Sequence, residues 1–318
     1  MNIKFKMIKI VLATSIAIVI AKAVGVIYPF SAGTIAILSV LDTKKESIAT
    51  ALKRLGSTLM AFTIASIIFY FLGFSVWTFS LFLMVYVPAA YKLNFQSVIA
   101  STTVLVSHFI TAESIALSWQ INGFLLMIIG ATTAIVFNLW MPSYEKDINE
   151  NIRSIEEELR QLLRLFYTYL MGDTVYRELK VKAHQLSDLL EDTKKIALLD
   201  YQNRLVNNKD YYINYIEMRE RQLDLLEMDI DNITAIKLKT EQNIVLAELF
   251  DDISKQLHEK NPVLSHLDHI SSLYGHYRRS DLPKTREEFE SRAILFQILR
   301  NMEKFIEIKR EFFMIYRD

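Results

Sequence analysis

The chain has 318 residues, with 36 basic and 36 acidic side chains, eight glycines and no cysteine. The lack of cysteine excludes disulfides, thiol nucleophiles and Cys-ligated zinc or iron–sulfur sites. Only Gly172 and Gly275 follow residue 142, so the rest of the chain cannot contain a G-x-x-x-x-G-K-[ST] phosphate loop or a dinucleotide-binding G-x-G-x-x-G. We predict that the protein is not an enzyme and that it uses no cofactor.

The charges are divided unevenly along the chain. Residues 1–142 hold nine Lys or Arg and three Asp or Glu, whereas residues 143–318 hold 27 and 33. The first part is broken into apolar runs close to the ~20 residues that cross a bilayer, which indicates a membrane domain. About a third of the second part is charged, which indicates a soluble one. We predict an all-α chain, with a six-span transmembrane domain over residues 1–142 and a cytoplasmic helical bundle over residues 143–318.

Lys and Arg alternate with the predicted spans. They lie before the first span and in the loops after the second and fourth spans, whereas the loops near Tyr28, Gly73 and Glu113 contain no Lys or Arg. This pattern follows the positive-inside rule and predicts a multi-pass protein of the plasma membrane with both termini cytoplasmic. The predicted spans are about Ile8–Val24, Val26–Leu41, Leu55–Leu72, Val76–Tyr91, Phe95–Ile110 and Ile121–Met141.

Two local patterns describe how the membrane helices begin and pack. Thr43 and Glu46 form a capping-box motif, which predicts a short interfacial helix whose Lys and Arg side chains, including Arg54, meet anionic headgroups. Small residues recur every four positions, which predicts helices that approach closely in lipid. These small residues are Ala13, Ala17, Ala21 and Gly25 in the first span, and Ser57, Ala61 and Ala65 in the third.

The junction between the first two spans is the first candidate substrate site. Lys22 is an ionisable residue in the outer third of a span, where it either snorkels to the headgroups or lines a polar cavity. The sequence from Tyr28 to Gly33 contains Pro and Gly, which interrupt the helix. A broken helix offers free N–H groups to an anion, here near Ser31 and Gly33, and the alternative is an ordinary tight turn.

The fifth span supplies a second group of candidates. Ser97, Ser101 and His108 are separated by four and seven residues and therefore share one helix face. Hydroxyl groups in a membrane helix can be satisfied by bonding back to the helix itself, so most of the Ser and Thr residues in this span carry little information. We expect Ser101 and His108 to face inward rather than lipid.

The charged part of the chain carries heptad patterns. Ile148, Ile152, Ile155, Leu159, Leu162 and Phe166 form a seam that is predicted to continue the sixth span directly into the cytoplasm. Gly172 is predicted to end this helix. A second seam over Leu223–Ile233 slips between Thr234 and Gln242, which predicts a hairpin or a bent helix. A seam left open after folding would bind a second copy, so we predict a homo-oligomer, although the two seams can also face each other inside one subunit.

Four histidines, His258, His266, His269 and His276, raise the question of a metal site. The chain contains no H-E-x-x-H motif and no partner carboxylate motif beside them, so we predict ordinary surface histidines and no bound metal. In the last helix, Thr285 and Glu288 form a capping box, and Arg286 and Glu290 are spaced to form an ion pair.

Two stretches resemble a known family. Ala23–Gly73, with the turn Tyr28–Phe30 and the motif KRLGST at Lys53–Thr58, is similar to the membrane domain of the bacterial aromatic acid exporter family. The motif LPKTREEFESRA at Leu282–Ala293 resembles the signature of that family's C-terminal helical domain. The resemblance implies a six-span transporter of the fusaric-acid-resistance-like group, distantly similar to plant malate channels. It implies aromatic acids as substrates through the family's name alone.

These observations predict a membrane transporter or channel for organic carboxylate anions, aromatic ones included. We expect an exporter that is driven by a proton or membrane-potential gradient, because no ATP-hydrolysis motif is recognised. Its predicted partners are the lipid bilayer and a small organic anion, with no nucleic acid. The alternative is a non-transporting scaffold or sensor whose cytoplasmic bundle binds a partner or ligand. Six spans with a lysine inside the membrane exceed what an anchor requires, which favours transport.

Overall fold

The computed structural model describes residues 3–140, 143–204, 210–258 and 264–316, with backbone alone for 3–5 and 264–266. The described residues form twelve α-helices and one short 3-10 helix and contain no β-strand, so the predicted all-α class is confirmed. By internal contacts the chain divides into two compact units. The first unit is Met1–Ser143 with Gln202–Asn208, and the second unit is Tyr144–Tyr201 with Lys209–Asp318.

The apolar part of the chain folds into six α-helices of unequal length. They are α1 (Ile3–Val24), α2 (Phe30–Ile37), α3 (Lys44–Leu72), α4 (Val76–Lys92), α5 (Ile99–Thr111) and α6 (Leu117–Leu139), with the 3-10 helix at Gln96–Val98.

Three of these helices are long and apolar enough to cross a membrane: α1 from Lys6, α3 and α6. The apolar helix α4 has 17 residues, whereas α2 and α5 have eight and 13. At 1.5 Å per residue, α2 and α5 extend only about 12 and 20 Å. The membrane character of this part is therefore clear, and the arrangement of six spans stays a prediction.

Small residues set the packing of α1, α2 and α6. Ala13, Ala17 and Ala21 are fully buried on α1, which packs against both other helices, so the predicted close approach is confirmed for these three residues. Gly25, the last residue of the predicted stripe, lies beyond the end of α1 and is exposed. A Cβ atom added to Gly130 of α6 would lie 2.5 Å from the carbonyl oxygen of Ala32 on α2. The short helix α2 is therefore held between α1 and α6 at backbone distance.

Two predicted boundaries are wrong. Thr43 caps a helix as expected, and its Oγ1 accepts from the N–H of Glu46 at 3.3 Å. However, no separate interfacial helix follows, because α3 runs unbroken for 29 residues. The sixth span is not continuous with the next helix either, since α6 ends at Leu139 and helix resumes only at Glu145. Pro142, near this break, lies outside the described residues.

The charged part of the chain forms the other six helices. They are α7 (Glu145–Met171), α8 (Tyr176–Asn203), α9 (Tyr211–Ile233), α10 (Glu241–Gln256), α11 (Leu264–Arg279) and α12 (Arg286–Ile315).

Several predicted ends of these helices are confirmed. Gly172 ends α7 with a left-handed backbone, φ 117°, which favours glycine. The helix is interrupted where the heptad slips, because α9 ends at Ile233 and α10 begins at Glu241. The two helices pack mainly against others, α9 against α12 and α10 against α7, so the expected hairpin is not confirmed. Thr285 caps α12 through the N–H of Glu288 at 3.1 Å. The predicted helix end at Asn207 and the cap near Pro262 lie outside the described residues.

Both heptad seams are buried inside one chain. The seam from Ile148 to Phe166 on α7 packs in the same core as α10, and the seam from Leu223 to Ile233 on α9 packs with α12. Because neither seam is left open, the seams give no support to association between chains. The homo-oligomer stays a prediction.

A charged network lies in the core of the second unit. The guanidinium of Arg219 is buried, with Nη2 lying 3.3 Å from Glu156 Oε1 and Nη1 donating to Gln222 at 2.8 Å. The Tyr215 hydroxyl also donates to Glu156, at 3.0 Å, and Gln222 donates to the carbonyl of Phe305 at 2.7 Å. Burial raises the pKa of Tyr215, so it remains a neutral donor. This network links α7, α9 and α12 by charge-assisted hydrogen bonds.

Candidate functional site

The structure brings two of the predicted site residues together at the start of α2. Ser31 Oγ lies 3.1 Å from Nε2 of His108 on α5, and His108 is only 8% exposed. The ring of Tyr28, in the turn before α2, lies 4.7 Å from the imidazole. Tyr28 has a left-handed backbone, φ 63°, which is uncommon outside glycine and allows the chain to turn there. We call Tyr28, Ser31, His108 and the neighbouring Trp119 the histidine site.

Two residues of α6 complete the surroundings of this site, and neither was predicted. The indole of Trp119 stacks on Tyr28 with ring centroids 6.2 Å apart. Asn122 accepts from the N–H of Ile27 at 2.7 Å and donates to its carbonyl at 3.0 Å. This double hydrogen bond satisfies the backbone of the turn from 95 residues away in sequence. The signal available in the sequence was an amide side chain within the sixth span, a position where polar residues are rarely exposed to lipid.

The other three predicted residues do not join the histidine site. Lys22 is exposed, and its Nζ lies 5.4 Å from the ring centroid of Phe30, the residue before Ser31. Gly33 packs against Ile18, since an added Cβ would meet that side chain at 2.7 Å. Ser101 donates back to the carbonyl of Val98 at 3.0 Å and lies two helical turns from His108.

The start of α2 is a tight turn with occupied N–H groups. The N–H of Ser31 donates to the carbonyl of Tyr28 at 2.9 Å, and that of Ala32 donates to Pro29 at 3.1 Å. The expectation that these groups are free for an anion is therefore wrong. Side chains, rather than the helix end, supply the polar chemistry of the histidine site.

A second polar position lies at the other end of α2 and was not predicted. Arg54 of α3 is 2% exposed, and its Nη2 donates to the carbonyl of Leu38, the C-cap of α2, at 2.7 Å. The sequence interpretation placed this side chain among the headgroups, whereas the structure buries it in the first unit. A cation at a helix C-terminus interacts favourably with the helix dipole.

A buried chain of hydroxyl groups joins three further helices. Ser57 of α3 shares a hydrogen bond with Tyr86 of α4 at 2.7 Å, and Thr102 of α5 donates to Ser57 at 3.4 Å. All three side chains are buried. These contacts satisfy polar groups between packed helices, as is usual for hydroxyl residues at membrane helix interfaces.

The histidines of the second unit do not form a cluster in the described part of the chain. His269 lies 3.8 Å from Asp252, and His276 lies 3.6 Å from Glu241, so each of the two histidines is next to a different carboxylate. Among the residues that the structure describes, no group of three or more His, Asp or Glu side chains is arranged to hold a metal ion.

Two family models match almost the entire chain. "Aromatic acid exporter family member 1" matches residues 1–141, and "Putative aromatic acid exporter C-terminal domain" matches residues 145–310. The chain belongs to the aromatic acid exporter family. The resemblance seen in the KRLGST and LPKTREEFESRA motifs is thereby confirmed, and membership of this family marks the protein as a membrane protein of a transporter family.

Individual relatives add little about function. The chain is 27% identical over 313 residues to "Uncharacterized protein YqjA" of Bacillus subtilis (strain 168), covering 98% of this chain and 96% of that one. A 90-residue segment is 30% identical to the mouse DNA-dependent protein kinase catalytic subunit, covering 26% of this chain and 2% of the kinase. The "Crystal structure of putative membrane protein from Clostridium difficile 630" matches with a TM-score of 0.46 and 20% identity, over 52% of this chain and 99% of that one.

Proposed function

We propose that this member of the aromatic acid exporter family carries organic carboxylate anions, aromatic ones among them, out of the cell. The family match over nearly the whole chain carries this proposal. It is supported by polar side chains inside a unit with three helices of membrane-spanning length, because such residues commonly mark a transport path. A proton or membrane-potential gradient would drive transport, since no ATP-hydrolysis motif is recognised in the sequence.

In this proposal the histidine site receives the substrate. Ser31 and His108 offer hydrogen-bond donors to a carboxylate, and the rings of Tyr28 and Trp119 offer apolar faces to an aromatic ring. Lys22, near Phe30 at the end of α1, would supply the positive charge that attracts the anion. Gly33 and Ser101 would contribute through helix packing.

The test is efflux of radiolabelled benzoate from preloaded cells. We expect Ser31→Ala and His108→Gln to slow efflux, because each removes part of the hydrogen-bonded pair. Ser107→Ala is the matched control, since Ser107 neighbours His108 on α5 but donates to the carbonyl of Val104. Efflux equal to that of the wild type in both site variants would contradict the proposed site, and efflux no faster than in cells without the protein would contradict transport.

Lys22 can be tested separately. Arg keeps the positive charge and Met keeps much of the apolar stem, so Lys22→Arg is expected to retain more efflux than Lys22→Met at equal membrane insertion. If the two variants transport equally well, snorkelling to the headgroups is a sufficient role for Lys22.

We also propose that the protein is a multi-pass protein of the plasma membrane with both termini in the cytoplasm. Because the native chain has no cysteine, single-cysteine labelling reports topology without background. A cysteine at position 2 is expected to be protected from an impermeant thiol reagent in intact cells, and a cysteine near Glu113 is expected to react. Reaction at position 2 would reverse the proposed orientation.

A further inference from the structure

Arg54 has hydrogen-bond donors that the fold does not use. Of its guanidinium nitrogens, Nη2 donates to Leu38, while Nε and Nη1 are buried without a partner in the part of the chain that the structure describes. Arg54 also takes part in none of the ion pairs found among the described residues. A guanidinium remains charged inside a protein, and an enclosed charge is costly unless it meets an opposite one. The structure thus contains a fixed, enclosed cation with open donors.

Thr58 has an unused hydroxyl on the same face of α3. It lies four residues after Arg54, is fully buried, and its Oγ1 has no partner among the described residues. Hydroxyl groups on membrane helices usually donate back to the carbonyl four residues earlier, as Thr63 does to Leu59 at 2.9 Å. Two unsatisfied polar groups therefore share one buried helix face, where neighbouring side chains at this spacing lie close together.

These two residues end a polar stripe on α3. Ser47, Thr50, Arg54 and Thr58 follow each other at intervals of three or four residues, and all four are buried. At 1.5 Å per residue the stripe is about 16 Å long. Ser47, at the N-terminal end of the stripe, is hydrogen-bonded to Asn138 of α6, so the unused donors are confined to the other end, at Arg54 and Thr58.

The stripe is separate from the histidine site. Ser31 lies at the first turn of α2, and Leu38, which accepts from Arg54, follows its last turn. Seven residues of helix separate the two positions, or about 10 Å along the axis. The short helix α2 therefore has a polar position at each end, one built around a histidine and one around an arginine.

We infer that Arg54 and Thr58 form an anion-binding subsite that takes a carboxylate group. A carboxylate oxygen accepts from one of the free guanidinium donors, Nε or Nη1, and the Thr58 hydroxyl donates to the bound anion from one helical turn further along α3. The choice of a carboxylate rests on the proposed function, whereas the need for an anion rests on the enclosed charge alone. Arg54 is thus a second binding position for the substrate.

The test is binding of benzoate to the purified full-length protein in an uncharged detergent. Calorimetric titration gives the affinity for benzoate, with benzyl alcohol as the neutral analogue and inorganic phosphate as a second anion, at constant ionic strength. The variants are Arg54→Gln, Arg54→Lys and Thr58→Val. Lys53→Gln is the matched control, since it removes the same charge from the adjacent, half-buried position on another face of α3.

We expect benzoate, but not benzyl alcohol, to bind the wild type and Lys53→Gln. Arg54→Gln should weaken benzoate binding about tenfold or more, the usual effect of losing a charged hydrogen bond, and Arg54→Lys should weaken it less. Thr58→Val should weaken binding while leaving unliganded stability unchanged or higher, because its hydroxyl has no partner to lose. That variant keeps the test valid if Arg54→Gln does not fold.

Three results would overturn the subsite. They are the absence of anion binding by the wild type, wild-type affinity in both Arg54→Gln and Thr58→Val, and equal binding of benzyl alcohol. Phosphate binding in place of benzoate would keep the anion subsite and contradict its carboxylate specificity. The proposed function fails differently, by an absence of efflux in the wild type while benzoate still binds at Arg54.

Discussion

Asp229 provides a test of how burial controls charge in the second unit. It lies on α9 and is fully buried, and its Oδ1 accepts from Asn301 Nδ2 on α12 at 2.6 Å. Its Oδ2 is buried and has no partner among the described residues. Burial raises the pKa of Asp229 from 3.8 to about 8, against an opposing contribution from the Asn301 hydrogen bond. The folded protein therefore holds Asp229 as a neutral acid at neutral pH.

The sign and size of the effect on stability follow from this difference. Between pH 3.8 and about 8 the folded carboxyl keeps a proton that the unfolded one has released. The contribution of Asp229 to the free energy of unfolding is thus fully present below pH 3.8. It falls by about 1.4 kcal/mol per pH unit as the pH rises from 3.8 to about 8. Asp229→Asn has nearly the same shape and cannot ionise, so it removes this slope.

The assay is unfolding of the full chain in detergent, followed by far-ultraviolet circular dichroism. From about pH 5 to about pH 7 the stability of Asp229→Asn relative to the wild type should increase by about 3 kcal/mol. Asp231→Asn is the control, because Asp231 lies on the same helix with an exposed side chain. A difference between wild type and Asp229→Asn that is constant with pH would show that Asp229 is ionised in the folded protein and would refute the reasoning.

Three further substitutions can be followed by the same unfolding assay. Glu156→Ala should cost about 3–5 kcal/mol, because it leaves the buried Arg219 guanidinium without its carboxylate. Glu290→Ala should cost less than about 1 kcal/mol, because its partner Arg286 is 90% exposed. Gly130→Val should unfold the contact between α2 and α6, because even a Cβ would lie 2.5 Å from the Ala32 carbonyl oxygen.

Two results would contradict these predictions. Equal costs for Glu156→Ala and Glu290→Ala would mean that burial does not separate the two ion pairs. Wild-type stability of Gly130→Val would mean that α2 and α6 do not approach at backbone distance.

Local sequence patterns predicted the all-α class and several helix ends. The seam from Ile148 to Phe166 is buried as its heptad spacing indicates, because that spacing fixes which face of a helix is apolar. The caps at Thr43 and Thr285 and the glycine end at Gly172 were predicted because each depends on residues within one turn.

Contacts between residues far apart in the chain could not be predicted from local sequence patterns. The hydrogen bonds between Asn122 and Ile27 join residues 95 positions apart, and no local pattern encodes them. Arg54 was assigned to the headgroups because an Arg near a span end usually reaches water. Its burial follows from the continuous helix α3, which places it ten residues inside the helix instead of at a boundary. The pairing of Ser31 with His108 likewise depends on how α2 packs beside α5.

The central claim is that this chain carries organic anions across a membrane, and flux from proteoliposomes tests it most directly. Vesicles would be loaded with benzoate, phthalate or malate, of which phthalate and malate cross lipid poorly because each carries two charges. We predict release that is faster than from protein-free vesicles, depends on an imposed proton gradient or membrane potential, and is slowed in Ser31→Ala and His108→Gln. Release equal to that of protein-free vesicles for every acid tested, under either gradient, would contradict it.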